Sequence, residues 1–131
     1  MRIVLKFGSG ILATPKGNTL DSKQFTRLSR EVSALVHEGH ECILVSSGAV
    51  AAGLGALGLR SRPEDLASRQ ACAAVGQSKL MQRYSECFAP QGIQVAQLLL
   101  THGDIDSRMR CENVKSTLHK LLQRRNVVPI I

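Results

Sequence analysis

The chain has 131 residues and a mass of 14.2 kDa, one domain's worth, enough to bury roughly two-thirds of the surface its unfolded form exposes. Its 44% hydrophobic and 21% charged residues exclude a disordered chain, and no apolar run approaches the roughly 18 residues of a membrane span. Basic residues number 17 against 10 acidic, a formal net charge of +7, while aromatic residues make up only 3%. The charge suits an anionic partner, but there is little from which to build the stacking platform of a single-strand nucleic-acid binder. The expectation is therefore a small anion, with no nucleic acid and no membrane. The stretch from Met1 to Ala13, interrupted by Lys6, lacks the continuous apolar segment of a signal peptide. Cys42, Cys72, Cys87 and Cys111 show no paired metal or redox spacing and read as reduced thiols of a cytoplasmic protein.

Along the chain, Arg2 to Phe7 is a short β-branched run stopped by Gly8-Ser9-Gly10 and reads as a strand. A helix begins at Asp21, with Gln24 placed as in a capping box and Phe25, Leu28, Val32, Leu35 and Val36 at helical spacing; Gly39 is placed to end it. Cys42 to Val45 is a second strand, stopped by Ser46-Ser47-Gly48. The small residues from Ala49 to Gly58 predict a tightly packed helix. A loop with Pro63 leads into a long helix that places Gln77, Met81, Tyr84 and Phe88 along one side and ends before Pro90. Val95 to Leu100 is a third strand, a last helix carries Val114, Leu118, Leu121 and Leu122, and Val127 to Ile131 is a fourth apolar run. Strands apolar on both faces and separated by helices predict an α/β fold, a three-layer αβα sandwich with a mainly parallel sheet. With nothing after it to cover or extend the sheet, the last strand is expected to leave an apolar surface that favours a homo-oligomer.

Ligands of such sheets bind at the carboxyl ends of the strands. The first strand ends in Lys6-Phe7-Gly8-Ser9-Gly10, where glycines allow positive φ and close approach of N–H groups to an anion. A lysine in a buried strand is costly without a negative charge to meet; the alternative is an edge-strand lysine that reaches solvent. The second strand ends in Ser46-Ser47-Gly48-Ala49 and opens a helix, whose N-terminal N–H groups suit a phosphate or carboxylate, although a plain helix cap explains the same residues. Gly53-Leu54-Gly55-Ala56-Leu57-Gly58 matches the G-x-G-x-x-G dinucleotide fingerprint by letter. It lies inside a helix rather than between strand and helix, and no acidic residue follows about 20 positions on. Close helix packing or a lid is its expected role. No phosphate-binding Walker loop is present. His37 and His40 straddle a helix end and make no metal pair, and no metal ligands are assigned. Asp104 and Asp106 follow the third strand and fit either the same sheet edge or a helix N-terminus.

Val4-Leu5-Lys6-Phe7-Gly8-Ser9 resembles the opening of the amino-acid kinase superfamily. The stretches Val45 to Gly53, Gln70 to Met81 (with its Ala-Ala-Val-Gly-Gln-Ser run), Gln97 to Thr101, Asn113, Thr117-Leu118 and Val127 to Ile131 narrow the resemblance to the glutamate 5-kinase family, along the whole chain. It departs from the family pattern at Gly10 and His102. The resemblance implies ATP-dependent phosphorylation of the L-glutamate side-chain carboxylate, the first step of proline biosynthesis, with Mg²⁺. It implies that Lys6 binds the transferring phosphoryl group, that Gly8 and Ser9 face the ATP phosphates, and that Ser47, Gly48 and Ala49 hold glutamate. It further implies that residues 1–131 are the N-terminal portion of a kinase domain, inactive without the half that holds the adenine. The rival expectations are another superfamily member with a different carboxylate or phosphate acceptor, and a non-catalytic nucleic-acid-binding module using Arg108, Arg110, Lys115, Arg124 and Arg125.

Overall fold

The computed structural model describes residues 1–131. The elements run β1 (Arg2–Phe7), α1 (Ser9–Leu12), α2 (Ser22–His37), β2 (Glu41–Ser46), α3 (Ala49–Leu57), α4 (Leu66–Phe88), β3 (Gln94–Gln97), α5 (His102–Asp106), α6 (Arg108–Leu122) and β4 (Val127–Ile130). All pairings are parallel, in the order β1-β2-β4-β3. From β1 to β2 to β3 the chain advances across the sheet, and from β3 to β4 it steps back. Right-handed crossovers then put α2 and α4 on one face and α6 on the other. The result is an α/β fold of three layers, the second helical layer resting on β4 through α6.

Local chemistry explains the individual elements. Asp21 Oδ1 accepts the N–H of Lys23 at 3.0 Å and of Gln24 at 3.2 Å, starting α2. The other half of the expected capping box is missing, because the Gln24 side chain accepts from Arg27 instead. At the far end Gly39 takes φ +89°, and His40 N–H donates to Leu35 and Gly39 N–H to Val36, each at 3.0 Å, a Schellman closure. Phe25, Leu28, Val32 and Val36 are buried against Cys42 and Leu44 of β2 and against Leu80, Tyr84 and Phe88 of α4.

The buried stripe of α4 differs from the expected one. It runs Cys72, Gly76, Leu80, Tyr84, Phe88, while Gln77 and Met81 lie half-buried on its flank. The small residues set this phase. A Cβ on Gly76 would overlap the Ala49 carbonyl oxygen, and one on Gly53 would overlap the carbonyl oxygen of Cys72. α3 and α4 therefore meet backbone to backbone at two points. Of the glycines at 53–58, Gly53 shows the expected close packing, and the run lies within α3 and its C-cap rather than between a strand and a helix.

Two strands are corrected by the sheet order. β3 stops at Gln97 rather than Leu100: it is an edge strand, its ladder ends where Leu98 N–H donates to Ile130 at 2.9 Å, and Leu99 is 77% exposed. β4 is not an uncovered last strand. It lies between β2 and β3 with Val128, Pro129 and Ile130 buried, so the surface expected to drive self-association is interior. Pro129 has no N–H to give β2, and the β2–β4 register is Leu44 against Ile130, with Ile131 N–H donating to Leu44 and Ser46 N–H donating to Ile131, each at 2.8 Å. β1 is the other edge. Ile3, Leu5 and Phe7 face the core, whereas Arg2, Val4 and Lys6 alternate onto the open face. Lys6 is thus exposed, not buried, and needs no anion to offset desolvation. No helix is long and apolar enough to cross a membrane.

Tyr84 ties α4 to the end of β2. Its hydroxyl lies 2.7 Å from Ser46 Oγ, and its ring packs on Phe25 and Phe88. Burial pushes its phenol up to about 12 against the lowering effect of the Ser46 hydrogen bond. A folded-state value above the unfolded one means that this contribution to stability is intact below pH 10 and is lost as pH rises toward 12. Tyr84 is the one tyrosine and there is no tryptophan, so tyrosinate absorbance should show no ionisation near pH 10 in the folded chain and a transition coincident with alkaline unfolding. Gly76→Ala should cost about 3 kcal/mol or more in urea unfolding, because the overlap is with backbone. Gly10→Ala, with negative φ and nothing within 4 Å of its Cβ position, should leave stability unchanged or raised.

Candidate functional site

The turns that end β1 and β2 are neighbours because their strands are: Lys6 pairs with Val45 and Phe7 with Ser46. Ser47 N–H donates to the Phe7 carbonyl at 3.0 Å and locks the second turn to the end of β1. After β1 the chain enters the single helical turn α1, with Gly8 at φ −77° as its cap residue. Neither Gly8 nor Gly10 adopts the positive φ expected of them. What they provide is open space, with no atom within 4 Å of either Cβ position.

After β2 the geometry is more constrained. Gly48 takes φ +111° and is buried beside Leu12, Leu20 and Leu80. No side chain caps α3, so its first N–H groups, which have no intrahelical acceptor, stay open for a ligand at the positive end of the helix. Ser47 is exposed and its hydroxyl has no partner in the chain, whereas the Ser46 hydroxyl is engaged by Tyr84 and by the Ser47 carbonyl. Of the two serines, only Ser47 is free for a ligand.

The two turns open into one cavity of about 690 Å³. Ser9, Ser47, Gly48 and Ala49 line it; Lys6 and Gly8 do not. Lys6 stands outside, at the carboxyl end of β1 on the open sheet face, with no ion pair or hydrogen bond to its ammonium. The sequence reading missed three cations in the lining: Lys16, Arg60 and Arg62. Lys16 sits in the loop closed by the Ala13–Leu20 bridge, where Thr14 N–H donates to Thr19 at 2.9 Å. Arg60 and Arg62 sit in the loop between α3 and α4. Their only signal in the sequence was a basic residue in a connecting loop, Lys16 and Arg62 next to a proline, and such residues are usually solvated. No lining residue is acidic, so the concavity focuses positive potential. The same lack means that it offers Mg²⁺ no carboxylate ligand.

The other candidates are structural. Asp104 accepts from the Thr101 hydroxyl at 2.7 Å and from its N–H at 2.8 Å, a capping box that holds its carboxyl below the usual range. His40 lies between the Met1 amine and Glu38, and nowhere do three His, Cys, Asp or Glu side chains converge. The five cations of the nucleic-acid reading are spread from the start of α6 to beyond its end. Arg108 and Arg110 open α6, Lys115 is paired with Glu112 at 3.0 Å, and Arg124 and Arg125 border a separate cavity near His40, beyond the other end of the helix.

A family model described as the amino acid kinase family matches residues 1–131. Over 130 residues the chain is 48% identical to a protein named glutamate 5-kinase from Thermus thermophilus, 47% identical to one from Myxococcus xanthus and 48% identical to one from Geobacillus kaustophilus. Each match covers 99% of this chain and 34% of the relative, so the chain spans about a third of the length of these curated relatives.

The left-handed turn at Gly48 makes a direct test of the geometry. Gly48→Ala should destabilise the chain by about 1–3 kcal/mol in thermal or urea unfolding, the usual cost of holding a side chain in such a conformation. A neutral effect would mean that the turn before α3 is not held as described.

Proposed function

The chain belongs to the amino acid kinase family, and from that membership we propose that it carries the phosphate-facing and acceptor-facing turns of an enzyme that phosphorylates the side-chain carboxylate of L-glutamate with ATP. The relatives named glutamate 5-kinase support glutamate as the acceptor. The observation that carries the reading is the shared cavity: both turns open into one concavity whose charged lining is wholly cationic. The chemistry calls for that arrangement. A carboxylate oxygen attacks the terminal phosphorus of ATP, the bond to the ADP oxygen breaks, and glutamyl 5-phosphate and ADP result. Both reactants are anions, so positioning and fixed positive charge supply most of the rate.

In this reading Gly8 and Ser9 face the donor phosphates, and Lys6 swings from the edge of the sheet to offset charge on the transferring phosphoryl group. Ser47 donates its hydroxyl to a glutamate carboxylate, with the open N–H groups of Gly48 and Ala49 beside it. Mg²⁺ is expected with ATP, but no part of the chemistry assigned to these residues runs through the metal. The reaction would be the first step of proline biosynthesis, in the cytoplasm, a setting that suits four free cysteines.

In the active enzyme, Lys6→Ala should lower turnover by a factor on the order of 100 or more, the scale of losing one group that offsets transition-state charge, with little change in unfolding midpoint. Ser47→Ala should raise the KM for glutamate and leave that for ATP nearly unchanged. Coupled measurement of ADP release reads both. ADP release indifferent to L-glutamate would overturn the acceptor, and equal losses for both substrates in Ser47→Ala would overturn the division between the two turns.

A further inference from the structure

Arg60 and Arg62 present a problem that the two turns leave unanswered. They follow α3, a nine-residue helix that starts at the Ser47–Gly48 turn and carries the chain away from it by roughly 13 Å. Yet both line the same cavity as Ser47. The cavity therefore runs along α3, past Ala51 and Leu54, to the loop, whose fastenings lie at its ends. At one end Leu59 N–H donates to Leu54 at 2.9 Å; at the other Asp65 caps α4 by accepting from Ser68 N–H at 2.8 Å. Between them neither arginine has an ion pair or a side-chain hydrogen bond, although Glu64 and Asp65 are close in sequence. Two guanidinium groups and Lys16 line one cavity that holds no carboxylate, and an oxyanion bound among them would relieve their mutual repulsion.

The inference rests on the proposed acceptor. Glutamate has two carboxylates. If one lies at Ser47 and the N-terminus of α3, next to the phosphate-facing turn, the rest of the cavity, which runs along α3 to Arg60 and Arg62, is where the other can lie. We propose that Arg60 and Arg62 bind the acceptor's second carboxylate, the one that is not phosphorylated, and so select a dicarboxylate over an acid with a single carboxylate. Arginine suits this role because its planar fork pairs with both oxygens of a carboxylate.

The test is calorimetric titration of the 131-residue chain and of an Arg60→Gln/Arg62→Gln variant with three probes: L-glutamate, γ-aminobutyrate (which keeps the side-chain carboxylate but lacks the second one) and tripolyphosphate. Both arginines are exposed and unpaired, so the variant should melt with the parent. The expected result is a loss of glutamate affinity of roughly tenfold or more, with γ-aminobutyrate and tripolyphosphate affinities unchanged. Equal weakening of glutamate and γ-aminobutyrate would overturn the inference, because the arginines would then serve the reacting carboxylate or the general field. Loss confined to tripolyphosphate would overturn it in favour of the donor. Unchanged glutamate binding would overturn it while leaving the glutamate reading intact. Failure of the parent chain to bind glutamate while still binding tripolyphosphate would overturn the acceptor itself, and this inference with it.

Discussion

The backbone contact between α3 and α4 is the constraint on which the rest of the structure depends. Gly76 leaves room for the carbonyl of Ala49, and Gly53 leaves room for the carbonyl of Cys72. Ala49 is also the first residue of α3 and part of the cavity lining. The packing point and the site are therefore the same few atoms. The N-terminus of α3 cannot shift without opening the tightest contact in the molecule, and the Tyr84–Ser46 hydrogen bond anchors the preceding residues from further along the same helix. A helix N-terminus stabilises an anion only if it does not have to reorganise. Here the rigidity comes from two glycines rather than from large side chains.

Charge is distributed to match. The cavity collects Lys16, Arg60 and Arg62 without an acid, and Lys6 waits at the adjacent strand end. Elsewhere Arg2 pairs with Glu41, Arg27 with Glu31, Arg83 with Glu86 and Lys115 with Glu112, while most other basic residues have no ion pair. These exposed pairs contribute little to stability. What sets the cavity apart is that three cations share one concavity whose lining holds no acid. A strand end, a glycine turn and a helix start recur at both β1 and β2, on adjacent strands roughly 5 Å apart, the arrangement that the proposed transfer between two anions calls for.

Much of this was legible in the sequence, and what was not had a common cause. The strands, the Asp21 cap, the Gly39 stop and the two glycine turns are local features, written in consecutive residues. The phase of α4 was missed because its stripe depends on Cys72 and Gly76, small residues that hydrophobic counting ignores and that matter only against another backbone. The exposure of Lys6, the end of β3 and the burial of β4 all follow from the order β1-β2-β4-β3. Periodicity carries no information about that order: the last run of the chain inserts between β2 and β3, and the first strand stands at an edge. Lys16, Arg60 and Arg62 were invisible for the same reason, since only the tertiary fold brings their two loops to one cavity. Ser46 and Ser47, alike as letters, part company because one of them meets Tyr84.

The most direct test of the central claim, that packing against α4 holds the N-terminus of α3 open for an anion, is to follow backbone amide resonances while L-glutamate is added. The account predicts progressive, saturable shifts at Gly48, Ala49 and Val50, with little change along the buried stripe of α4. Shifts confined to the cavity bordered by His40, Arg124 and Arg125, or shifts that spread along α3 and α4 as the helices move apart, would contradict it.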